Sequence, residues 1–279
     1  MPPQIAKAVI PAAGIGRRLM PITSAVPKEM FPVGRYPAIE WVIAEAAASG
    51  YRDIAVVVNP RKRILREYLT RNCRSLLKQC RLTFIDQAEP MGLGHALLLA
   101  RKFIAGQPFA VLLPDELATG LRLPLAQMHH VFAAAGGAVF GLASASPEAA
   151  LRWSERWHSE RAGDRIYRVR PVRGDDPKDS RADKFAGLGR YLLSPRFLDY
   201  AAFLFNEAQG RELDDGMIFE FMHAKGRPVS GVFLEGQRFD ISTTDGFVAA
   251  WQHFGKTDPL REYRSGFYAD PECQESLLK

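Results

Sequence analysis

The residues of this chain whose types and spacing could do chemistry begin at Ala12-Ala13-Gly14-Ile15-Gly16-Arg17-Arg18. They follow the apolar run Ala8-Val9-Ile10 and continue at Pro27-Lys28-Glu29-Met30. Small residues in the turn leave backbone N–H groups uncovered, so a phosphate can approach the main chain closely. Arg18 and Lys28, four and fourteen residues after Gly14, add fixed positive charge. A strand, an amide-lined turn and two cations are what is needed to hold a triphosphate and to steady the charge that builds during phosphoryl or nucleotidyl transfer. Two commoner glycine motifs do not fit. The dinucleotide fingerprint needs a third glycine where Leu19 stands, and the P-loop needs Lys-Ser/Thr where Arg17-Arg18 follow Gly16. A tight strand-to-helix turn with solvated arginines is the plain alternative.

Two further stretches carry polar groups at the ends of apolar runs. Gln87-Ala88-Glu89-Pro90-Met91-Gly92-Leu93-Gly94-His95-Ala96 places two glycines at a helix start, where backbone donors are exposed at a strand's carboxyl end. The Gln87 amide offers both an acceptor and donors, as reading a base edge requires; glycines that only permit the turn are the plain alternative. Phe109-Ala110-Val111-Leu112-Leu113-Pro114 ends in Asp115-Glu116. A carboxylate at the end of a buried strand is costly unless something positive pairs with it. It serves either as a Mg2+ ligand, which calls for one more acid nearby, or as a helix N-cap.

The composite pattern, A-A-G-x-G-x-R followed by P-K-E-M-x-P-V, resembles the signature of the nucleotidyltransferases that make nucleoside-diphosphate sugars. In detail it is similar to the bacterial UTP–glucose-1-phosphate uridylyltransferases. The resemblance covers roughly residues 5–255, strongly to about residue 117 and less well beyond. It implies a UTP- and Mg2+-dependent in-line attack by a sugar 1-phosphate, giving a UDP-sugar, most simply UDP-glucose, and pyrophosphate without a covalent intermediate. It further implies that Arg18 and Lys28 are catalytic, and that Ala12, Ala13, Gly14, Gly16, Gln87 and Gly92 bind the nucleotide. Asp115 and Asp240 would hold the metal, while Arg170, Glu212 and Gly189 would bind the sugar phosphate. Several positions depart from the family pattern. Val169-Arg170-Pro171 stands for Glu-Lys-Pro, with Lys178 and Lys184 as alternative phosphate ligands, and guanidinium is not a conservative replacement for ammonium. Asp214-Asp215-Gly216 stands for Gln-Leu-Thr, and Ile241-Ser242 follows Asp240 where the family has one variable residue and then Gly. These departures also suit a catalytically impaired, regulatory or subunit-forming paralogue, or an enzyme with altered sugar or base specificity.

The elements that must position these groups follow from apolar periodicity. Strands are expected at about residues 7–11, 54–58, 82–85, 109–113 and 138–143. Helices are expected near residues 37–49, 62–69, 124–135 and 195–207. Residues 17–34 hold Pro21, Pro27 and Pro32 and read as an ordered loop. Alternation at this spacing indicates an α/β fold with a doubly wound, mostly parallel, Rossmann-like sheet flanked by helices. A small β-containing sugar-binding excursion is expected between Arg152 and Arg190, with extended pieces near 166–172 and 185–193. Val232-Phe233-Leu234 and Arg238-Phe239-Asp240 read as the last strands, and Thr243-Thr244-Asp245 as the cap of a final helix. A single domain over 1–255, divided near residue 117 into a nucleotide half and a sugar-phosphate half, would leave a polar tail over 256–279. That tail is available for a homo-oligomer contact.

A chain of 279 residues with 47% apolar content can bury a substantial core. No apolar run reaches the length of a membrane span and the first residues lack a signal-peptide pattern, so a cytoplasmic protein with no membrane partner is expected. Three cysteines without C-x-x-C spacing suggest neither a disulfide framework nor a zinc site. The net charge of +6 is concentrated where eleven basic residues meet seven acidic ones between Arg152 and Arg190. That mixture reads as a solvated charged face, and no nucleic-acid partner is expected.

Overall fold

The computed structural model describes residues 5–72, 78, 80–120, 122–172, 185–207, 211–256 and 263. In chain order the elements begin with β1 (Lys7–Ala12), three 3-10 turns between Arg17 and Met30, the short pair β2 (Pro32–Val33) and β3 (Tyr36–Pro37), and α1 (Ala38–Ala48). Next come β4 (Asp53–Val58), α2 (Arg63–Asn72), β5 (Arg81–Asp86), α3 (Gly92–Leu99), α4 (Arg101–Ile104), β6 (Phe109–Leu112) and β7 (Glu116–Thr119). The second half continues with α5 (Pro124–Ala135), β8 (Ala138–Ser144), α6 (Pro147–Ser154), β9 (Trp157–Arg161), β10 (Ile166–Pro171) and β11 (Phe185–Leu193). It closes with α7 (Arg196–Glu207), α8 (Asp215–Ala224), β12 (Val229–Phe233), β13 (Gln237–Asp240) and α9 (Thr244–Phe254).

Nine strands form one sheet in the order β5-β4-β1-β6-β11-β8-β12-β10-β9. The first four are parallel; β11 runs against both its neighbours, β6 and β8, and β10 against β12 and β9. Most strands therefore share one direction, as alternation with helices requires. Side chains alternate across the sheet with period two. Ala8, Ile10 and Ala12 of β1 and Ile54, Val56 and Val58 of β4 enter one core with α1, α2, α5 and α9. Val9, Ala55 and Val57 enter the other core with α3, α4, α7 and α8. Strands buried on both faces read as unbroken apolar runs, as most of β1 and β4 and all of β6 do. β5, on the outer edge, has a half-exposed alternating pattern instead.

Residues 152–190 contain more structure than a solvated excursion. The chain there forms part of α6, the hairpin β9–β10 that extends the main sheet, and the start of β11. Ser146 caps α6 by accepting from the Ala149 N–H, and Pro147 occupies its first turn. Trp157 is buried against Phe140 and Phe219, with ring centroids 5.9 and 6.4 Å apart. The aromatic anchors outweigh the surrounding charge, because a buried tryptophan removes far more apolar area from water than an exposed arginine costs. Lys178 and Lys184 lie outside the described residues, as does the tail beyond residue 256 apart from Tyr263. No helix among the described residues is long and apolar enough to cross a membrane.

Candidate active site

The glycine turn leaves the carboxyl end of β1 into a cleft of about 250 Å³ lined by Gly14, Gly16, Arg18, Lys28, Glu212 and Ser242, among others. Ala12 and Ala13 are buried beneath it. Gly16 takes a left-handed conformation (φ 69°), and a Cβ there would meet Thr23 Cγ2 at 2.9 Å. The Thr23 hydroxyl donates to the Gly16 carbonyl at 2.9 Å, fixing the turn from outside. A Cβ on Gly14 would meet nothing within 4 Å, so that residue opens the approach to the main chain.

Lys28 Nζ is 2.5 Å from Asp115 Oδ2, and both groups are largely buried. Burial alone would raise the carboxyl pKa, but the Lys28 ammonium outweighs it and holds Asp115 below the ordinary range. Burial likewise opposes the charge on Lys28, yet Asp115 and Glu29 keep its pKa above the usual value. The pair is thus ionised, and Lys28 sits where a cation beside Asp115 is expected. Asp115 is steered by its strand: Arg190, fully buried, forms a two-pronged pair with Glu45 of α1 at 2.8 and 2.6 Å. The same guanidinium donates to the Leu113 and Glu116 carbonyls at 3.3 and 2.9 Å, on either side of Asp115.

Asp240 comes to the same place. β13 pairs with β7 so that Asp240 lies opposite Glu116, and the Ile241 N–H donates to the Asp115 carbonyl at 3.0 Å. Asp240 Oδ1 accepts from the Ser242 N–H at 3.0 Å and from the Ser242 hydroxyl. Ser242, where the family pattern has glycine, therefore connects Asp240 to the cleft wall. Arg238 bonds Glu116 at 2.6 Å and lies 3.6 Å from Asp240. Burial pushes the Glu116 carboxyl up to about 7, against the pull of Arg238. Among the described residues no group of three or more His, Cys, Asp or Glu side chains is gathered to hold a metal. Two carboxylates at adjoining strand ends, one already against a cation, nevertheless fit Mg2+, which takes one or two carboxylates and fills its shell with substrate oxygens and water.

The base-loop and sugar-side residues are placed less uniformly. Gln87 is buried, with Nε2 3.2 Å from the Gly92 carbonyl and 3.0 Å from His95 Nδ1, so its amide nitrogen shapes the loop itself. Gly92 (φ 87°) lies so close to Leu213 that a Cβ would sit 2.3 Å from the Leu213 carbonyl oxygen. The Gly94 N–H donates to that carbonyl, and the Leu213 N–H donates to Met91. This interlock brings Glu212 into the cleft. Gly189 packs instead against Leu113 and Glu116, where a Cβ would come within 2.8 and 3.0 Å, so its place is beneath the Asp115 strand end. Arg170 is not in this cleft. It lines a separate hollow of about 490 Å³ with His158, Arg168, His223 and Arg227, because alternation along β10 turns Arg168 and Arg170 to one side and Val169 into the core. Asp214 is a helix cap, accepting from the Gly216 N–H, and Asp215 accepts from the Tyr191 hydroxyl at 3.0 Å.

Sequence reasoning missed Lys62, Glu29, Glu45 and the structural role of Arg190. One signal was available: Glu45 stands within Ala38–Ala48, a helix whose only charged residues are Glu40 and Glu45, where a carboxylate among apolar neighbours demands a buried partner. Lys62 carried no such signal, since its neighbours Arg61 and Arg63 make it look like one of a solvated cluster.

The family model described as nucleotidyl transferase matches residues 7–265. A UTP–glucose-1-phosphate uridylyltransferase of Staphylococcus haemolyticus is 30% identical over 274 residues, covering 92% of this chain and 94% of that protein. The Bacillus subtilis protein named UTP–glucose-1-phosphate uridylyltransferase YngB is 32% identical over 284 residues, covering 95% and 94%. The fold is shared with a UDP-glucose pyrophosphorylase solved with UDP-glucose (TM-score 0.75, 24% identity, 91% of this chain and 99% of that one). It is also shared with a UTP-bound enzyme of the same kind from Acinetobacter baumannii (TM-score 0.73, 24% identity, 99% of each chain). The chain belongs to the nucleotidyl transferase family, within which it is similar to the UTP–glucose-1-phosphate uridylyltransferases.

Proposed function

We propose that the protein transfers the uridylyl group of UTP to a sugar 1-phosphate, most simply glucose 1-phosphate, with release of pyrophosphate. The observation that carries this reading is the Lys28–Asp115 ion pair at the wall of a cleft that also holds Gly14, Gly16 and Arg18. Amides of the turn would receive the triphosphate, and Arg18 would stabilise the β- and γ-phosphates and the leaving pyrophosphate. Lys28 would turn from Asp115 to the α-phosphate region as charge develops there. Asp115 and Asp240 would hold Mg2+, whose contribution when bound is neutralisation of phosphate charge. The remaining work is positioning: a sugar-phosphate oxygen held in line with the α-phosphorus needs no covalent help from the protein. Glu212, in the cleft, is the group best placed to meet sugar hydroxyls. The chemistry and substrates fit a cytoplasmic enzyme.

A second reading is favoured by one placement. With Arg170 in the separate hollow and Val169 in the core, the described cleft lacks the family's sugar-phosphate cation and carboxylate. A protein that binds UTP without turning over any sugar phosphate, or one that prefers a different sugar, would look like this. Pyrophosphate release from UTP and a panel of sugar 1-phosphates separates the readings. Release with glucose 1-phosphate supports the first, and a preference for another sugar supports altered specificity. UTP binding without release from any member of the panel supports a regulatory protein.

A further inference from the structure

We infer that the turn Asn59–Lys62, which none of the family motifs found in this chain includes, is the positioning element of the nucleotide site. Lys62 acts through the glycine turn and Asn59 through the Gln87–Gly92 loop; the inference rests on the nucleotidyl-transfer reading above. The turn follows β4 directly and is closed by the Arg61 N–H donating to Asn59 Oδ1 at 2.9 Å. Lys62 Nζ then reaches four acceptors: the Ala12 carbonyl at 2.8 Å, the Gly14 carbonyl at 2.6 Å, and the two Glu29 oxygens at 3.0 and 2.8 Å. An ammonium has three N–H donors, so this one is fully engaged by the protein and is not free to grip a phosphate. It acts instead on the shape of the turn.

The consequence follows from peptide geometry. In a trans peptide the C=O and the next N–H point in opposite directions. Holding the Ala12 and Gly14 carbonyls toward Lys62 therefore turns the N–H groups of Ala13 and Ile15 away from it, and Gly14 and Ile15 line the cleft. Released, those carbonyl oxygens would be free to swing toward an incoming triphosphate and repel it. Glu29 is wholly buried and lies beside Lys28 in sequence, so one ion pair anchors both the turn and the segment that carries Lys28. Asn59 Nδ2 donates to the Ala88 carbonyl at 2.8 Å, holding the base loop against the same support. The parts of the nucleotide half that are scattered along the chain thus meet at one short turn.

A purely structural ion pair would make a different prediction from a positioning one, and a pair of full-length variants distinguishes them. Lys62→Met/Glu29→Gln removes both charges with near-isosteric side chains, and Asn59→Ala tests the second arm without touching a charge. Folding is checked by circular dichroism and thermal melting. UTP affinity is measured by calorimetry with Mg2+, and KM is measured for UTP and for glucose 1-phosphate separately. Both variants are expected to bind UTP about tenfold or more weakly and to raise KM for UTP by a similar factor, since small misplacements of binding groups have effects of that order. KM for glucose 1-phosphate is expected to stay within about twofold of the parent. UTP affinity unchanged in the folded variants, or equal losses for the two substrates, overturns the inference. If the double variant fails to fold, Asn59→Ala decides alone. A parent chain that binds no UTP at all overturns the nucleotide reading and this inference together, whereas a parent that binds UTP as well as its variants overturns only the latter.

Discussion

Single residues in this site are defined by what charge they face. Lys28 is held in its cationic form by Asp115 and Glu29 despite burial, so it is ready to meet phosphate charge without first taking up a proton. Lys28→Ala should lower kcat by at least about 10²-fold, comparable with loss of one donor aimed at developing charge; steady-state pyrophosphate release measures it, and an unchanged kcat removes Lys28 from the mechanism. Glu116 shows the opposite balance. Its carboxyl is pushed up to about 7 by burial, above the ordinary glutamate value of 4.5. The folded state then binds a proton that the unfolded chain has released, so its stabilising contribution is complete below pH 4.5 and is lost as the pH rises to about 7. Glu116→Gln, with no carboxyl to ionise, should gain in melting temperature relative to the parent across that window, measured without divalent metal. A constant difference between the two from pH 4.5 to 7 would show that Glu116 does not titrate there.

Elements position these residues through buried contacts between segments far apart in sequence. Arg190 on β11 and Glu45 on α1 are both fully buried, and the same guanidinium braces the strand end that carries Asp115. Arg190→Met should destabilise the fold by about 3–5 kcal/mol in urea denaturation, because it strands the Glu45 carboxylate; adding Glu45→Leu should restore much of the loss. If the double variant is no more stable than the single one, the cost lies in the carbonyl contacts rather than in the ion pair. At the base loop, Gly92→Ala would force a Cβ against the Leu213 carbonyl. A loss of at least about 1–3 kcal/mol is expected from overpacking, together with weaker UTP binding as Glu212 and the loop separate. Much of the order of helices and strands was legible in the sequence, because β6 is apolar throughout, β1 and β4 are apolar after their first residue, and α5 and α7 keep helical spacing. β10 was legible as the extended piece near residues 166–172, but β9 and its place in the main sheet were not, because its residues are mostly polar or charged and only Trp157 among them is buried. Local periodicity cannot reveal a strand whose alternation is set by which neighbour it meets.

For the whole molecule, the nine-stranded sheet that holds β1 and β6, with the small β7–β13 pair beside it, lets groups from the first 30 residues share one cleft with Glu212 and Ser242. Binding that uses this convergence must stabilise the fold as a unit. UTP with Mg2+ at a hundredfold excess over its Kd should raise stability by about 2.7 kcal/mol, read as an increase in melting temperature. Asp115→Asn should abolish the metal-dependent part of that increase. A thermal shift with UTP that is the same with Mg2+ and with chelator would exclude Asp115 and Asp240 as metal ligands.

The amino-acid order alone determined the layered α/β architecture, the glycine turn after β1 and the two cations beside it, because these depend on local pattern and on residues adjacent in the chain. Which acids meet, which cation is spent inside the protein and which arginine leaves the cleft were decided only by tertiary structure. Lys62 and Arg170 are the clearest cases: one looks like a solvated base and proves to be buried against Ala12, Gly14 and Glu29, while the other looks like a phosphate ligand and lines a different hollow. The reason is physical. The fate of a long charged side chain depends on the partners that folding brings within about 3 Å, and those partners lie tens to more than a hundred residues away in the sequence, as Lys28 and Asp115 do.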